Sequence, residues 1–150
     1  MIKTSKEAYE TQFKNKKILF DQHFSSIAPI EFFKSNYDSF RYRAEFSLSK
    51  FDNAYSYAMT LNGKKERIGF FPIASKRIQE LMPLLLSYIN NNSIISDKLF
   101  QIEFQSSRNN EAMVSLIYHK ELDENWYKSV SEVGTDLNVS IIGRSKKQQL

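Results

Sequence analysis

No cysteine occurs among the 150 residues of the chain. Disulfides, thiolate metal sites and a cysteine nucleophile carried by this chain are thereby excluded. Glycine is nearly as scarce. Gly63, Gly69, Gly134 and Gly143 are the whole complement, and no two lie close enough to form a loop that cradles phosphates or a nucleotide. No apolar run approaches the roughly 20 residues that span a bilayer. The longest candidate, 81–89, is interrupted by Pro83 and runs out into Asn90, Asn91 and Asn92. Residues 1–10 are polar and charged and cannot supply the apolar core of a signal peptide. These absences predict a cytoplasmic chain with no membrane partner. Histidine is limited to His23 and His119, far apart, with no second metal ligand at helical or hairpin spacing from either, so no metal site is expected. The serines sit in no strained nucleophile turn, and catalysis by this chain alone is not expected.

What is present suits one folded domain over residues 1–150. The hydrophobic fraction of 41% and aromatic fraction of 14% are enough to build a core. A formal net charge of +4 suits a polyanionic partner without proving one. Thr4 is placed to cap a helix over about 5–24, with Glu7 reaching back and Tyr9, Phe13, Phe20 and Phe24 near one stripe. Residues 25–29 end it. Residues 40–49 alternate strictly, with Phe40, Tyr42, Ala44, Phe46 and Leu48 on one face and Arg41, Arg43, Glu45, Ser47 and Ser49 on the other. Residues 54–61 alternate again, and Asn62-Gly63 offers a tight hairpin turn into a strand at 67–71. Together these predict a three-stranded meander.

Ser75 is positioned to cap a second helix with an inner stripe of Ile78, Leu81, Met82 and Leu85, which Pro83 should kink or restart. Strands at 99–105 and 112–119 follow, joined by a polar turn at 106–110. A third helix is anchored by Leu122, Trp126, Val130, Val133 and Leu137, with Asp123 and Glu124 at its start complementing the dipole. A last strand at 138–143 leads into the basic stretch 144–147, which reads as an ending inside a longer protein. Alternating strands separated by about three helices predict an α+β fold with a largely antiparallel sheet.

Four places could carry binding. Arg41 and Arg43, two residues apart on one strand, are expected side by side on one surface, able to grip phosphates or stack on bases; a solvated sheet face with Glu45 as counter-charge is the alternative. Phe100 shares a face with Ile102 and Phe104 by alternation, which reads as core. It is also the first apolar residue after the polar loop 96–98, beside Lys98, where a base-stacking ring would sit. His119 ends its strand, is followed by Lys120, and should be accessible at a sheet edge. Trp126 reads as a core anchor.

These blocks also resemble a known family. Phe40-Arg41-Tyr42-Arg43-Ala44-Glu45-Phe46, Phe71-Pro72-Ile73-Ala74-Ser75, Lys98-Leu99-Phe100-Gln101-Ile102, Val114-Ser115-Leu116-Ile117-Tyr118-His119-Lys120-Glu121-Leu122-Asp123 and Ile142-Gly143-Arg144 occur in order. They are similar to the N-terminal half of the bacterial tRNA (uracil-5-)-methyltransferases, from about Glu7 to Lys147. The resemblance implies an S-adenosylmethionine-dependent parent enzyme that methylates carbon 5 of a T-loop uridine in tRNA. A cysteine thiolate adds to the ring and a carboxylate removes the ring proton. By the resemblance, both groups and the cofactor pocket belong to a C-terminal Rossmann-like domain beyond Leu150, so this chain should bind no cofactor. It also implies an N-terminal domain that grips the tRNA T-arm, or other RNAs with a T-loop-like arm, and no DNA. Carried onto this sequence, Phe100 is inserted among loop bases and His119 contacts the RNA, with Lys98 and Gln101 in the same block as Phe100. Arg41 and Arg43 match the family's arginine-rich strand, but Ser47 stands where that strand carries a further arginine. Pro83 also departs from the pattern. The iron–sulfur cysteine cluster of a sister family acting on ribosomal RNA is absent. A stand-alone RNA-binding or adaptor domain is the alternative function.

Overall fold

The computed structural model describes residues 5–145 and the backbone of residues 148 and 149. The expected helix cap Thr4 lies outside them. Ser5 holds that position instead, and its Oγ accepts from the Ala8 amide at 3.1 Å. Helix α1 (Lys6–Phe24) follows, but none of its residues is buried. Its aromatic stripe packs locally on the chain that comes after it. Phe32 meets Phe13 and Phe20 edge-on, and Lys34 pairs with Glu10 at 2.6 Å. Ile18, Leu19, Phe20 and Phe24 stay exposed.

The core lies elsewhere, between one face of a sheet and two helices. The strands are β1 (Arg43–Phe51), β2 (Ala54–Leu61), β3 (Lys64–Arg67), β4 (Leu99–Ser106), β5 (Ala112–Tyr118), β6 (Ser140–Ser145) and β7 (Gln148–Gln149), in the spatial order β3-β2-β1-β4-β5-β6-β7. Neighbours pair antiparallel except β5 with β6, whose parallel pairing follows from the helical crossover between them. The architecture is α+β, and four helices are described where about three are expected. The additional one is the single turn α3 (Ser93–Ser96), capped by Asn92.

The meander forms with shifted boundaries. Asn62 and Gly63 take φ of 51° and 75°, the two positive angles of a two-residue turn. Pairing therefore resumes at once, with Leu61 opposite Lys64, and β3 precedes the expected 67–71. Just past β3 the Ile68 amide still donates to the Tyr57 carbonyl at 2.8 Å, and Ile68 and Phe71 are buried in the core. The first strand starts at Arg43 rather than at residue 40. Before it, Arg41 makes an isolated parallel bridge to Ala74, and Phe40 and Tyr42 are about 40% exposed rather than core.

Helix α2 (Lys76–Asn91) is capped by Ser75 and runs unbroken through Pro83, where a kink or restart is expected from the sequence. Its packing explains why it persists. Ile78, Leu81, Met82, Leu85 and Ile89 are all buried against the sheet. At about 1.5–3 kcal/mol for each fully buried apolar side chain, they outweigh the ~3 kcal/mol cost of an interior proline. The Tyr57 hydroxyl also donates to the Met82 carbonyl at 2.8 Å, fastening the helix to β2 beside the proline. Helix α4 (Glu124–Leu137) is capped by Asp123, whose carboxylate accepts from the Trp126 amide at 2.8 Å, with Glu124 in the first turn. It buries Trp126, Val130, Val133 and Leu137, as the sequence pattern predicts, and ends at Asn138 in the left-handed conformation. That leaves Asn138 as the cap and starts β6 at Ser140, carrying Arg144 and Ser145 into the strand rather than into a tail.

Candidate functional site

The end of the β4–β5 ladder departs from regular pairing. Leu99 faces Tyr118, but Gln101 faces Ile117, so β4 carries one extra residue, Phe100. This bulge corrects the alternation read from sequence. Leu99 and Ile102 point into the core at 5% and 0% exposure, and Phe100 is released from the face that holds Ile102 and Phe104. Phe104 stays fully buried, against Phe46 and Tyr57.

The released ring meets His119. Their centroids are 3.7 Å apart and their planes differ by 8°, a parallel stack at van der Waals contact. Backbone geometry holds the pair in place. Lys98 takes φ of 58°, and its carbonyl accepts from the His119 amide at 3.0 Å, closing the strand end. His119 is exposed and Phe100 partly buried, so the imidazole presents an open ring face backed by the phenyl ring. β5 lies between β4 and β6, so His119 stands at the end of an interior strand rather than at a sheet edge. Lys98 is exposed beside it. Lys120 is held back, pairing with Asp97 at 3.1 Å and donating to the Ile94 carbonyl at 3.4 Å.

Gln101 points along the sheet instead of toward the stack. Its Nε2 donates to Glu103 at 3.1 Å. The two arginines lie at the other end of β4, since Arg43 registers with Gln105. Five residues at ~3.3 Å rise put Arg43 roughly 16 Å from Phe100. Arg41 and Arg43 are not a side-by-side pair on a strand. Arg41 sits ahead of β1 and its Nε donates to the Arg43 carbonyl at 3.0 Å, whereas Arg43 pairs with Glu45 at 2.5 Å. The structure thus brings Phe100, His119 and Lys98 together and sets Arg41 and Arg43 apart from them. Glu103 and Arg144, both close to Arg43, were not singled out from sequence. Alternation over 99–105 puts Glu103 opposite the core face, which was a usable signal. Arg144 follows the last expected strand in the sequence and belongs there to the basic stretch 144–147.

Among the described residues, no three His, Asp or Glu side chains converge to hold a metal, and no helix is long and apolar enough to cross a membrane. What the site offers is an aromatic stack at an exposed strand end with one exposed lysine, Lys98, beside it.

The family model described as tRNA (Uracil-5-)-methyltransferase matches residues 8–150, and the chain belongs to this family. A tRNA/tmRNA (uracil-C(5))-methyltransferase of Cellvibrio japonicus is 40% identical over 97% of this chain and 41% of its own length. Proteins of the same description from Acinetobacter baumannii (strain AYE) and Pseudomonas fluorescens are 37% and 45% identical, over 95% and 76% of this chain and 42% and 33% of their own lengths. The chain spans about two-fifths of the length of the first of these.

Proposed function

We propose that this chain is the T-arm recognition domain of an S-adenosylmethionine-dependent methyltransferase that modifies carbon 5 of a T-loop uridine in tRNA. The Phe100–His119 stack carries the reading. Enzymes that act on a base must take it out of its stack, and the energy of unstacking has to be offset by new contacts. A preformed pair of parallel rings at an exposed strand end supplies such contacts. A splayed loop base can extend the stack over the open face of His119, with Phe100 as the second layer and Lys98 near the backbone. Arg41 and Arg43 add cationic contacts further along the arm. Other RNAs with a T-loop-like arm would be bound by the same geometry, and no DNA partner is proposed. The proposed setting is the cytoplasm.

Methyl transfer itself is assigned to the parent protein and not to this chain. We place no S-adenosylmethionine site in this chain, because its glycines form no nucleotide-cradling loop. Gly63 is in a hairpin turn, Gly134 in α4 and Gly143 in β6, which leaves Gly69 alone in a strand-to-helix connection. The chain should give no calorimetric signal with the cofactor, and a stoichiometric one would overturn this part of the reading.

The test of recognition compares a T-arm hairpin with an unstructured RNA of equal length, by fluorescence anisotropy. The hairpin should bind the more tightly. Its log–log salt slope should be about −0.7 to −0.9 per phosphate contact. Equal affinity for both RNAs would refute T-loop recognition, and affinity independent of salt would refute the cationic contacts.

A further inference from the structure

Three registered rows of side chains cross the sheet on the face away from the helices. Arg43, Gln105 and Met113 lie in one, Glu45, Glu103, Ser115 and Ile142 in the next, and Ser47, Gln101, Ile117 and Arg144 in the third. Glu103 stands in the middle row with the two arginines at opposite corners. Its Oε2 is 3.7 Å from Arg43 Nη2 and 4.0 Å from Arg144 Nη1, and its Oε1 accepts from Gln101. One carboxylate oxygen thus draws two guanidinium groups toward a single point. The side chain of Glu103 is 19% exposed, and those of Arg43 and Arg144 are 61% and 51% exposed. Between them lies a concavity of about 370 Å³, with Met113, Ser115 and Ile142 in its lining.

We propose that Arg43 and Arg144, drawn together by Glu103, grip a backbone phosphate of the same RNA whose loop bases stack at His119 and Phe100; this rests on the function proposed above. Two guanidinium groups this close repel each other unless an anion lies between them, and Glu103 is that anion. Each guanidinium carries five donors in a planar fork that matches phosphate oxygens. Glu103 approaches a single Nη of each at a long distance, and Glu45 takes that same Nη2 of Arg43 at 2.5 Å, so the remaining N–H groups of both guanidiniums stay available. Exposed pairs contribute little on their own, the short Arg43–Glu45 pair included, so a phosphate can reorganise them without a large loss. The apolar side chains of Met113 and Ile142 give the adjoining ribose a surface to pack on. Gln101, the residue next to Phe100, belongs to this network through its bond to Glu103, so both contacts share strand β4. With a separation of roughly 16 Å along that strand, the stack would hold the loop while the arginines hold the arm.

The experiment is salt-dependent binding of the T-arm hairpin to this chain and to Arg144→Gln, Arg43→Gln, Arg67→Gln and Phe100→Leu, each first checked for folding by a circular dichroism melt. Arg144→Gln and Arg43→Gln should each weaken binding and lower the magnitude of the log–log slope by about 0.7–0.9. Between 50 and 200 mM salt either variant then loses about threefold less affinity than the unsubstituted chain. Two independent arginines keep the test decisive if one variant folds poorly. Arg67, an exposed arginine in β3, is the control and should leave the slope unchanged. Phe100→Leu should weaken binding at constant slope. An unchanged slope in both the Arg144 and Arg43 variants would overturn the phosphate grip, as would an equal fall in the Arg67 variant. If Phe100→Leu is silent while the arginine variants act, the stacking function fails and the phosphate grip stands.

Discussion

Phe100→Ala and Phe104→Ala remove the same ring from the same strand in opposite surroundings. Phe104 is fully buried and touches Phe46 and Tyr57, with centroids 6.2 and 5.8 Å away. Its removal leaves a cavity in a layer that sheet and helix both press on, and should cost about 3–5 kcal/mol. At ~2–4 °C per kcal/mol for a domain of this size, the melting temperature should fall by roughly 6–20 °C. Phe100 is partly buried at a strand end, and its principal ring contact is His119. An aromatic pair is worth about 0.5–1.5 kcal/mol beyond area burial, so Phe100→Ala should lower the melting temperature by only a few degrees. The order reverses for RNA. Loss of a base-stacking ring should weaken T-arm hairpin binding by about 1–3 kcal/mol, roughly 5- to 150-fold. Phe104→Ala should bind normally once corrected for its unfolded fraction. The assay is a denaturant melt and an anisotropy titration on each variant. A large stability loss at Phe100 with unchanged affinity in the folded fraction would refute the stacking role.

Three further outcomes follow from the core. A Cβ on Gly143 would come within 2.2 Å of Trp126 Cη2 and 2.6 Å of Leu122 Cδ1, so Gly143→Ala should cost about 1–3 kcal/mol or more, read from the urea midpoint. Asp123→Ala removes the α4 cap and should cost about 1 kcal/mol in the same assay, while Asp123→Asn should restore most of it. Burial holds the phenols of Tyr57 and Tyr118 above their ordinary value of 10.0. The unfolded chain therefore loses these protons first as pH rises. Their contribution to stability should be constant below pH 10 and should fall above it by up to about 1.4 kcal/mol per pH unit for each tyrosine. Tyr118→Phe should flatten that fall, and an unchanged alkaline profile would refute the assignment.

The core helices and most of the sheet were legible because their signals are periodic and local. Ser75, Asp123 and the apolar stripes of α2 and α4 mark those helices, and Asn62-Gly63 marks its turn, in residues a few positions apart. Helix α1 was legible as a helix but not in its packing, since its aromatic stripe has the same spacing whether it meets a sheet or only Phe32. The site depended on geometry that periodicity cannot carry. Strict alternation assigns Phe100 to the core, and the single extra residue at the bulge removes it from there. A bulge is settled by which partner residues pair, here Leu99 with Tyr118 and Gln101 with Ile117, across a chain separation that no local pattern spans. The same holds for Glu103 with Arg144. They are 41 positions apart in sequence and meet only because β4, β5 and β6 are neighbours in register. In the other direction, two-residue spacing suggested that Arg41 and Arg43 act together, but spacing says nothing about where a strand begins. With β1 starting at Arg43, Arg41 belongs to the bridge with Ala74, and the arginine that shares an ion-pair partner with Arg43 comes from the far end of the chain.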